Sequence, residues 1–279
     1  MKVNVKREGL LLEYLEECSG LTRKKIKMYL KNGCIYVDGV KTTKYDYPLF
    51  IGSIVNIETK NGLVVNLPFE IIYEDENIIV VSKPAGLLTI ATQKEKEQTL
   101  YHLVGEYLRK RNRGAKVFIV HRLDKDTSGV VVLAKNEHAK NILQKNWDKY
   151  VNARSYIAIV HGNVEKKEDT LINYLKETST NLVYISKNSD GKKAITKYKV
   201  LKQKNDYTKL QINIETGRKN QIRVQLANIG HPILGDKKYG DDKEKRLFLH
   251  ADRLELYNPI LKKNMVFKSN VPNIFNHYL

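Results

Sequence analysis

The chain has 279 residues, 42% of them hydrophobic, with 49 Lys and Arg against 31 Asp and Glu and a formal net charge of +18. This length supports one large domain, or a large and a small one each with its own core, and the apolar content excludes a disordered chain. So positive a balance, with a pI near 9.6, points to a polyanionic partner. Cys18 and Cys34 show no metal spacing and cannot build a disulfide framework, so a reducing cytoplasm is expected. The opening Met1–Glu8 lacks an apolar run of signal-peptide length, and no stretch approaches a membrane span.

Residues 1–62 are expected to form a small separate domain. Leu10, Leu11, Tyr14, Leu15 and Cys18 recur at helical spacing. A second helix is expected to start with Thr22 as N-cap, to keep Ile26, Tyr29 and Leu30 inside, and to stop at Asn32-Gly33. Its outer face then carries Arg23, Lys24, Lys27 and Lys31, with Lys25 close by. Cys34-Ile35-Tyr36-Val37 runs into Asp38-Gly39, a tight-hairpin signal. Between Gly20 and Tyr45 seven Lys or Arg face one acid, Asp38. One sign of charge without acidic partners suits a surface that tracks phosphates better than an ordinary solvated helix face. A basic helix followed by Gly33-Cys34-Ile35-Tyr36-Val37-Asp38-Gly39 resembles the S4-type RNA-binding domain, which implies RNA contacts through Arg23, Lys24, Lys25, Lys27 and Lys31.

Residues 63–69 read as a linker and 70–279 as the large domain. Ile71-Ile72-Tyr73 and Ile78-Ile79-Val80-Val81 form strands about the turn 74–77, followed by Lys83-Pro84-Ala85-Gly86. A helix capped at Thr99 buries Leu100, Leu103, Val104, Tyr107 and Leu108 and ends in Arg109, Lys110 and Arg111, which suit a helix C-terminus. Then two buried strands, Val117–Val120 and Val130–Ala134, flank His121-Arg122-Leu123-Asp124-Lys125-Asp126-Thr127-Ser128-Gly129. A polar loop held between buried strands is rigidly placed, as binding and catalysis require. A plain turn accounts for residues 126–129 but not for Arg122 and Asp124 beside a strand end. Next come a helix from Asn136 with Ala139, Ile142, Leu143 and Trp147 inward, the strand Arg154–Gly162, and the alternating strand Leu210–Ile214. Thr216-Gly217-Arg218-Lys219-Asn220-Gln221-Ile222-Arg223 opens the last helix, which ends near Gly230. His231, in a loop before a proline, and His250, between strand residues, are expected to be structural.

The pattern H-R-L-D-x-x-T-S-G at 121–129 resembles the signature of the RluA-type pseudouridine synthases. Four further segments stand in that family's order: Lys83-Pro84-Ala85-Gly86, Arg154-Ser155-Tyr156, Thr216–Arg223, and Gly230–Gly240 with Leu249-His250-Ala251. Two positions depart from it, Arg154 for the usual Lys and Asn220 for the usual His. The resemblance implies an α+β protein: a small S4-like domain, then a catalytic domain on a mixed, largely antiparallel sheet with flanking helices. It implies Asp124 as the catalytic carboxylate and Arg223 as its pairing cation. It also implies Arg122 as the side chain that fills the place of the departed base, and Tyr156 as the aromatic against the uracil. His121, Thr127, Ser128 and Gly129 are expected to contact substrate.

The implied reaction breaks the uridine C1′–N1 bond, turns the base and rejoins it through C5. No cofactor and no metal are needed, and the sequence carries no G-x-G-x-x-G, Walker loop or His/Cys metal set. It needs a carboxylate at the sugar, whether to attack C1′ or to deprotonate C2′. The expected partner is structured RNA, ribosomal by analogy with S4-bearing members and transfer RNA as the alternative, with no DNA or membrane partner and a monomeric state. A non-catalytic RNA-binding or ribosome-assembly factor would share the charge but not the retained set Asp124, Arg122, Tyr156 and Arg223. A zinc deaminase would need H-x-E and P-C-x-x-C, which are missing.

Overall fold

The computed structural model describes residues 2–31, 33–57, 67–93, 95–240 and 244–278. It divides into two compact units, Met1–Leu67 and Pro68–Leu279. Asn32 and residues 58–66, which hold most of the expected linker, lie outside the described residues.

In the first unit, helix Leu11–Cys18 buries Leu11, Leu12, Tyr14 and Leu15, and helix Arg23–Lys31 buries Ile26 and Leu30. They cover a four-stranded sheet ordered Lys2–Asn4, Ile54–Ile57, Ile35–Val37, Val40–Thr42. The hairpin at Asp38-Gly39 has both residues at positive φ, 51° and 81°, as its turn type requires. Leu10 and Cys18 depart from the expected helix interior. Leu10 has extended backbone and pairs with Pro48 in a short exposed strand, and Cys18 faces solvent on the last turn.

The second unit is built on one long sheet. Its order runs Val183–Ile185, Glu168–Glu177, Lys192–Lys204, Tyr207–Ile214, Val151–His161, Leu249–Asn258, Ser128–Ala134, Ile78–Lys83, Glu70–Glu74, with Lys263–Lys268 and Phe118–Ile119 branching off. Neighbours pair antiparallel except Ser128–Ala134 with Leu249–Asn258, which are parallel. The expected α+β class with a mixed, largely antiparallel sheet is what the chain adopts. Ser128–Ala134 is buried at every residue. Its alternate residues Val130 and Val132, with Ile78 and Val80, pack on Ala139 and Leu143 of helix Glu137–Lys145, so period two in the strands meets the helix stripe.

Local signals set the helix starts. The Thr99 hydroxyl accepts from the His102 N–H at 3.2 Å ahead of Leu100–Arg111, and Asn136 Oδ1 accepts from the Ala139 N–H at 2.8 Å. Two expectations are corrected. The strand over 117–120 shrinks to Phe118–Ile119, because only those two residues find partners, at the end of Ser128–Ala134. Trp147 does not belong to the helix from Asn136 but opens a separate short one, Trp147–Tyr150, after Asn146 leaves helical geometry. No helix among the described residues is long and apolar enough to cross a membrane.

Candidate active site

A cavity of about 280 Å³ opens in the second unit, and Arg122, Asp124, Thr127, Tyr156, Asn220 and Arg223 are on its walls. The loop 121–127 that carries Asp124 is fastened on both sides of it. The Thr89 hydroxyl donates to the Leu123 carbonyl at 2.7 Å. On the other side Lys83 Nζ and the Gly86 N–H both donate to the Lys125 carbonyl, at 2.9 and 3.0 Å. Asp124 therefore projects from a segment whose neighbours in sequence are tied down, which limits the conformations its side chain has to search. Its carboxylate makes no hydrogen bond or close ion pair of its own among the described residues.

Lys83 explains why the Lys-Pro-Ala-Gly turn stands ahead of the loop. Its side chain is fully buried, and its Nζ also donates to the Pro84 and Leu87 carbonyls at 3.0 and 2.7 Å. Burial pushes its pKa down to about 7, while Asp126 and Asp124 hold it up. Three carbonyl acceptors match the three N–H of an ammonium.

His121 lines the cavity, but its ring nitrogen is already engaged. Nε2 accepts from the Val132 N–H at 3.0 Å and the ring stacks on Trp147, centroids 4.4 Å apart. Burial, with help from Arg154, drives its pKa down to about 3. The unfolded chain takes up a proton near pH 6.5 and the folded chain does so only near 3, so this group's contribution to stability is lost as pH falls through that window. His121→Gln keeps an acceptor and removes the titration. Its chemical-denaturation midpoint is expected to fall less between pH 7 and pH 4 than that of the parent; parallel losses would contradict this role.

Tyr156 comes from strand Val151–His161 and is 9% exposed. Burial raises its hydroxyl to about 12, against Arg154, with Asp124 and Asp252 adding to the rise. Arg154 Nη2 donates to the Glu215 carbonyl at 2.7 Å, and its buried Nε finds no partner.

Arg223 differs from expectation in its partner. It sits on helix Gln221–Asn228 and grips Asp236 with two prongs, Nε to Oδ2 at 2.8 Å and Nη2 to Oδ1 at 2.6 Å. Asp236 is fully buried, and a buried carboxylate without a paired cation is costly, so it takes the direct bonds. Burial acts to lower the Arg223 pKa, but Asp236, then Asp124 and Asp126 through space, outweigh it and leave it raised. Asn220, in the left-handed region at φ 51°, accepts from Arg223 Nη1 at 3.2 Å and donates to the Tyr239 hydroxyl at 3.1 Å. It thus steadies Arg223 from the helix N-terminus.

Two expected substrate contacts have other work. Ser128 and Gly129 do not line the cavity; they begin strand Ser128–Ala134 against Leu249–Asn258. Gly129 is at φ 119°, and a Cβ there would collide with the Ala251 backbone. His250 Nε2 donates to the Ser269 carbonyl at 3.2 Å, which leaves Nδ1 to accept from the Ser128 hydroxyl at 2.9 Å. His250 is buried, as the sequence implied, and His231 Nδ1 bonds the His161 carbonyl at 2.9 Å. The sequence reading missed Asp236 and the burial of Lys83, although both lie in segments it had singled out. On the first unit, Arg23, Lys24, Lys25, Lys27 and Lys31 are all exposed. Arg23 does have an acid, Glu16 at 2.9 Å on the preceding helix.

Residues 77–228 match the family model described as RNA pseudouridylate synthase. An RNA pseudouridine synthase of Mycoplasma pneumoniae is 33% identical over 282 residues, 95% of this chain and 90% of the relative. The ribosomal large subunit pseudouridine synthase D of Haemophilus ducreyi is 30% identical over 86% of this chain and 80% of its own length. The solved structure of human RNA pseudouridylate synthase domain containing 4 shares the fold, with a TM-score of 0.63 and 24% identity over 75% of this chain and 91% of that one. Placed beside the cavity that holds Asp124, Tyr156 and Arg223, these matches show that the chain belongs to the RNA pseudouridylate synthase family.

Proposed function

We propose that the chain isomerises uridine to pseudouridine in large-subunit ribosomal RNA, with Asp124 as the reacting carboxylate. The observation that carries this reading is the fastened loop that presents Asp124, free of direct bonds, in one cavity with Arg122, Tyr156 and Arg223. The ribosomal target is carried by the name of the Haemophilus ducreyi relative.

The target base leaves its stack at a cost of roughly a few kcal/mol. Arg122, exposed at the rim, fills the vacated place, and Thr127 stands on the wall beside Asp124. Asp124 then acts at C1′ or C2′ so that the C1′–N1 bond breaks. The freed uracil turns against Tyr156 and bonds to C1′ through C5, and the C5 hydrogen ends on nitrogen, so atoms balance without a cofactor. A hydroxyl raised to about 12 is a neutral phenol at pH 7, which suits an aromatic platform. Taking the C5 proton on Tyr156 requires its own proton to leave in the same step. Arg223, its charge balanced by Asp236, gives the cavity a guanidinium held in one fixed orientation.

Residues 1–62 serve as an S4-like RNA-binding domain joined by a linker at 63–69, in a cytoplasmic monomer. The exposed Arg23, Lys24, Lys25, Lys27 and Lys31 support this. Replacing Arg23, Lys24 and Lys27 by Ala is expected to weaken RNA binding and flatten its salt dependence, by about 0.7 to 0.9 in log–log slope for each phosphate no longer neutralised. An unchanged slope would remove the RNA-binding role of this helix. Tritium release from C5-labelled unmodified ribosomal and transfer RNA tests the target. Release from the ribosomal pool supports the proposal, and release from transfer RNA alone overturns the ribosomal assignment.

A further inference from the structure

A second cavity, of about 380 Å³, adjoins the first across Arg223 and is walled by Asp126, Arg223, Lys237, Lys238, Lys245 and Arg246. The two share the Arg223 wall, and the loop that sends Asp124 into one sends Asp126 into the other. Arg223 is committed to Asp236, so the remaining four cations face one exposed carboxylate, that of Asp126.

The four cations are gathered by backbone. Gly235, at φ 79°, packs so closely on the Arg246 carbonyl that any Cβ would collide with it. The Phe248 N–H donates to the Leu234 carbonyl at 2.9 Å, which fixes 234–238 beside 245–248. Arg246 is the least ordinary member. Its guanidinium is partly withdrawn from water and lies near the Phe248 and Phe275 rings, 5.7 and 5.2 Å from their centroids. Its Nη2 donates to the Ser128 hydroxyl at 3.0 Å, and among the described residues it has no carboxylate partner. Burial lowers its pKa, and burial followed by Lys219 and Arg223 lowers that of Lys238. Lys237 and Lys245 are exposed and make no hydrogen bond or ion pair among the described residues. Lys238 Nζ donates to the Asn181 carbonyl at 2.8 Å, which leaves Lys237 and Lys245 as the free ammonium groups. A partly desolvated arginine without a counterion, beside two free ammonium groups, gains most from a tetrahedral oxyanion that can take several N–H at once.

We propose that this second cavity is a phosphate subsite that holds a backbone phosphodiester of the RNA strand beside the nucleotide whose base enters the Asp124 cavity. The proposal rests on reading that first cavity as the base site. It gives Ser128 a purpose as well: its hydroxyl links the catalytic loop's end to the arginine that grips the strand. Strand capture and placement of Asp124 are then mechanically joined.

The test uses the full chain and a short oligouridylate. Amine acetylation followed by mass spectrometry is expected to show Lys237 and Lys245 protected by the oligouridylate. Inorganic phosphate at the same phosphate concentration should protect neither, which separates a strand from a free ion. Lys237→Ala combined with Lys245→Ala is expected to reduce the salt slope of oligouridylate binding by about 0.7 to 1.4, at about 0.7 per phosphate charge for single strands. In tritium release from ribosomal RNA the same pair should lower kcat/KM mainly through KM. Lys202→Ala with Lys204→Ala, an equal charge change on strand Lys192–Lys204 away from this cavity, serves as the control. Equal effects of the two pairs, or no protection of Lys237 and Lys245, would overturn the subsite. Protection by inorganic phosphate alone would reassign the cavity to a free anion and overturn it too. A parent protein that protects both lysines with oligouridylate yet releases no tritium from any RNA would support the subsite and sink the catalytic reading instead.

Discussion

Asp124→Asn is expected to abolish isomerisation, by on the order of 10⁴-fold or more, while RNA affinity stays within about twofold of the parent. The size follows from the role: either route, attack on C1′ or removal of the C2′ proton, needs an oxygen that can take up charge or a proton, and a carboxamide offers neither. Retention of affinity follows from the surroundings. Asp124 makes no hydrogen bond or close ion pair that the amide would break, and the loop is held by Thr89, Lys83 and Gly86 through backbone atoms that the substitution leaves alone. Neutralising a carboxylate in a positive setting leaves phosphate contacts in place and removes none. Measured under saturating RNA, the variant should bind and fail to turn over. A variant that retained a tenth of parent turnover would remove Asp124 from the chemistry.

The second large effect is on stability. Lys83→Met keeps the length and the apolar stem but strips the donor from the partly buried Pro84 and Leu87 carbonyls, and leaves the Lys125 carbonyl with the Gly86 N–H alone. Leaving a buried acceptor unpaired costs about 1–3 kcal/mol, so with two acceptors stripped a loss on the order of 3 kcal/mol is expected. For a unit of this size that is a fall of roughly 6–12 °C in Tm. Because one of the three carbonyls belongs to Lys125, the variant should also lose turnover in the fraction that remains folded. A Tm within about 2 °C of the parent would show that water replaces the ammonium and that the clamp contributes little.

What the sequence made legible is what is local. Asn136 and Thr99 cap helices because their side chains reach N–H groups three residues on, and Asp38-Gly39 turns because both residues tolerate positive φ. The motif at 121–129 stood out because it set charges between two apolar runs. Distant pairing was not legible. Nothing in 128–134 announces a parallel partner at 249–251, more than a hundred residues on, yet that contact is what withdraws Ser128 and Gly129 from the cavity. Lys83 reads as a turn residue, since a lysine's burial depends on where two carbonyls of its own turn meet a third from a loop some forty residues on. Arg223 was expected against Asp124, but Asp236, thirteen positions later and buried, needs the cation more. Leu10 fell outside its helix because a two-residue pairing with Pro48–Leu49 competes with one more helical turn.

The proposed role of Asp124 is to carry out the isomerisation of uridine in large-subunit ribosomal RNA. Unmodified transcript of that RNA, incubated with the parent protein and with Asp124→Asn and then mapped nucleotide by nucleotide for pseudouridine, tests it most directly. Pseudouridine is expected at one or more defined positions with the parent and at none of them with Asp124→Asn. Equal pseudouridine with both proteins, or none with the parent on a transcript it binds, would contradict it.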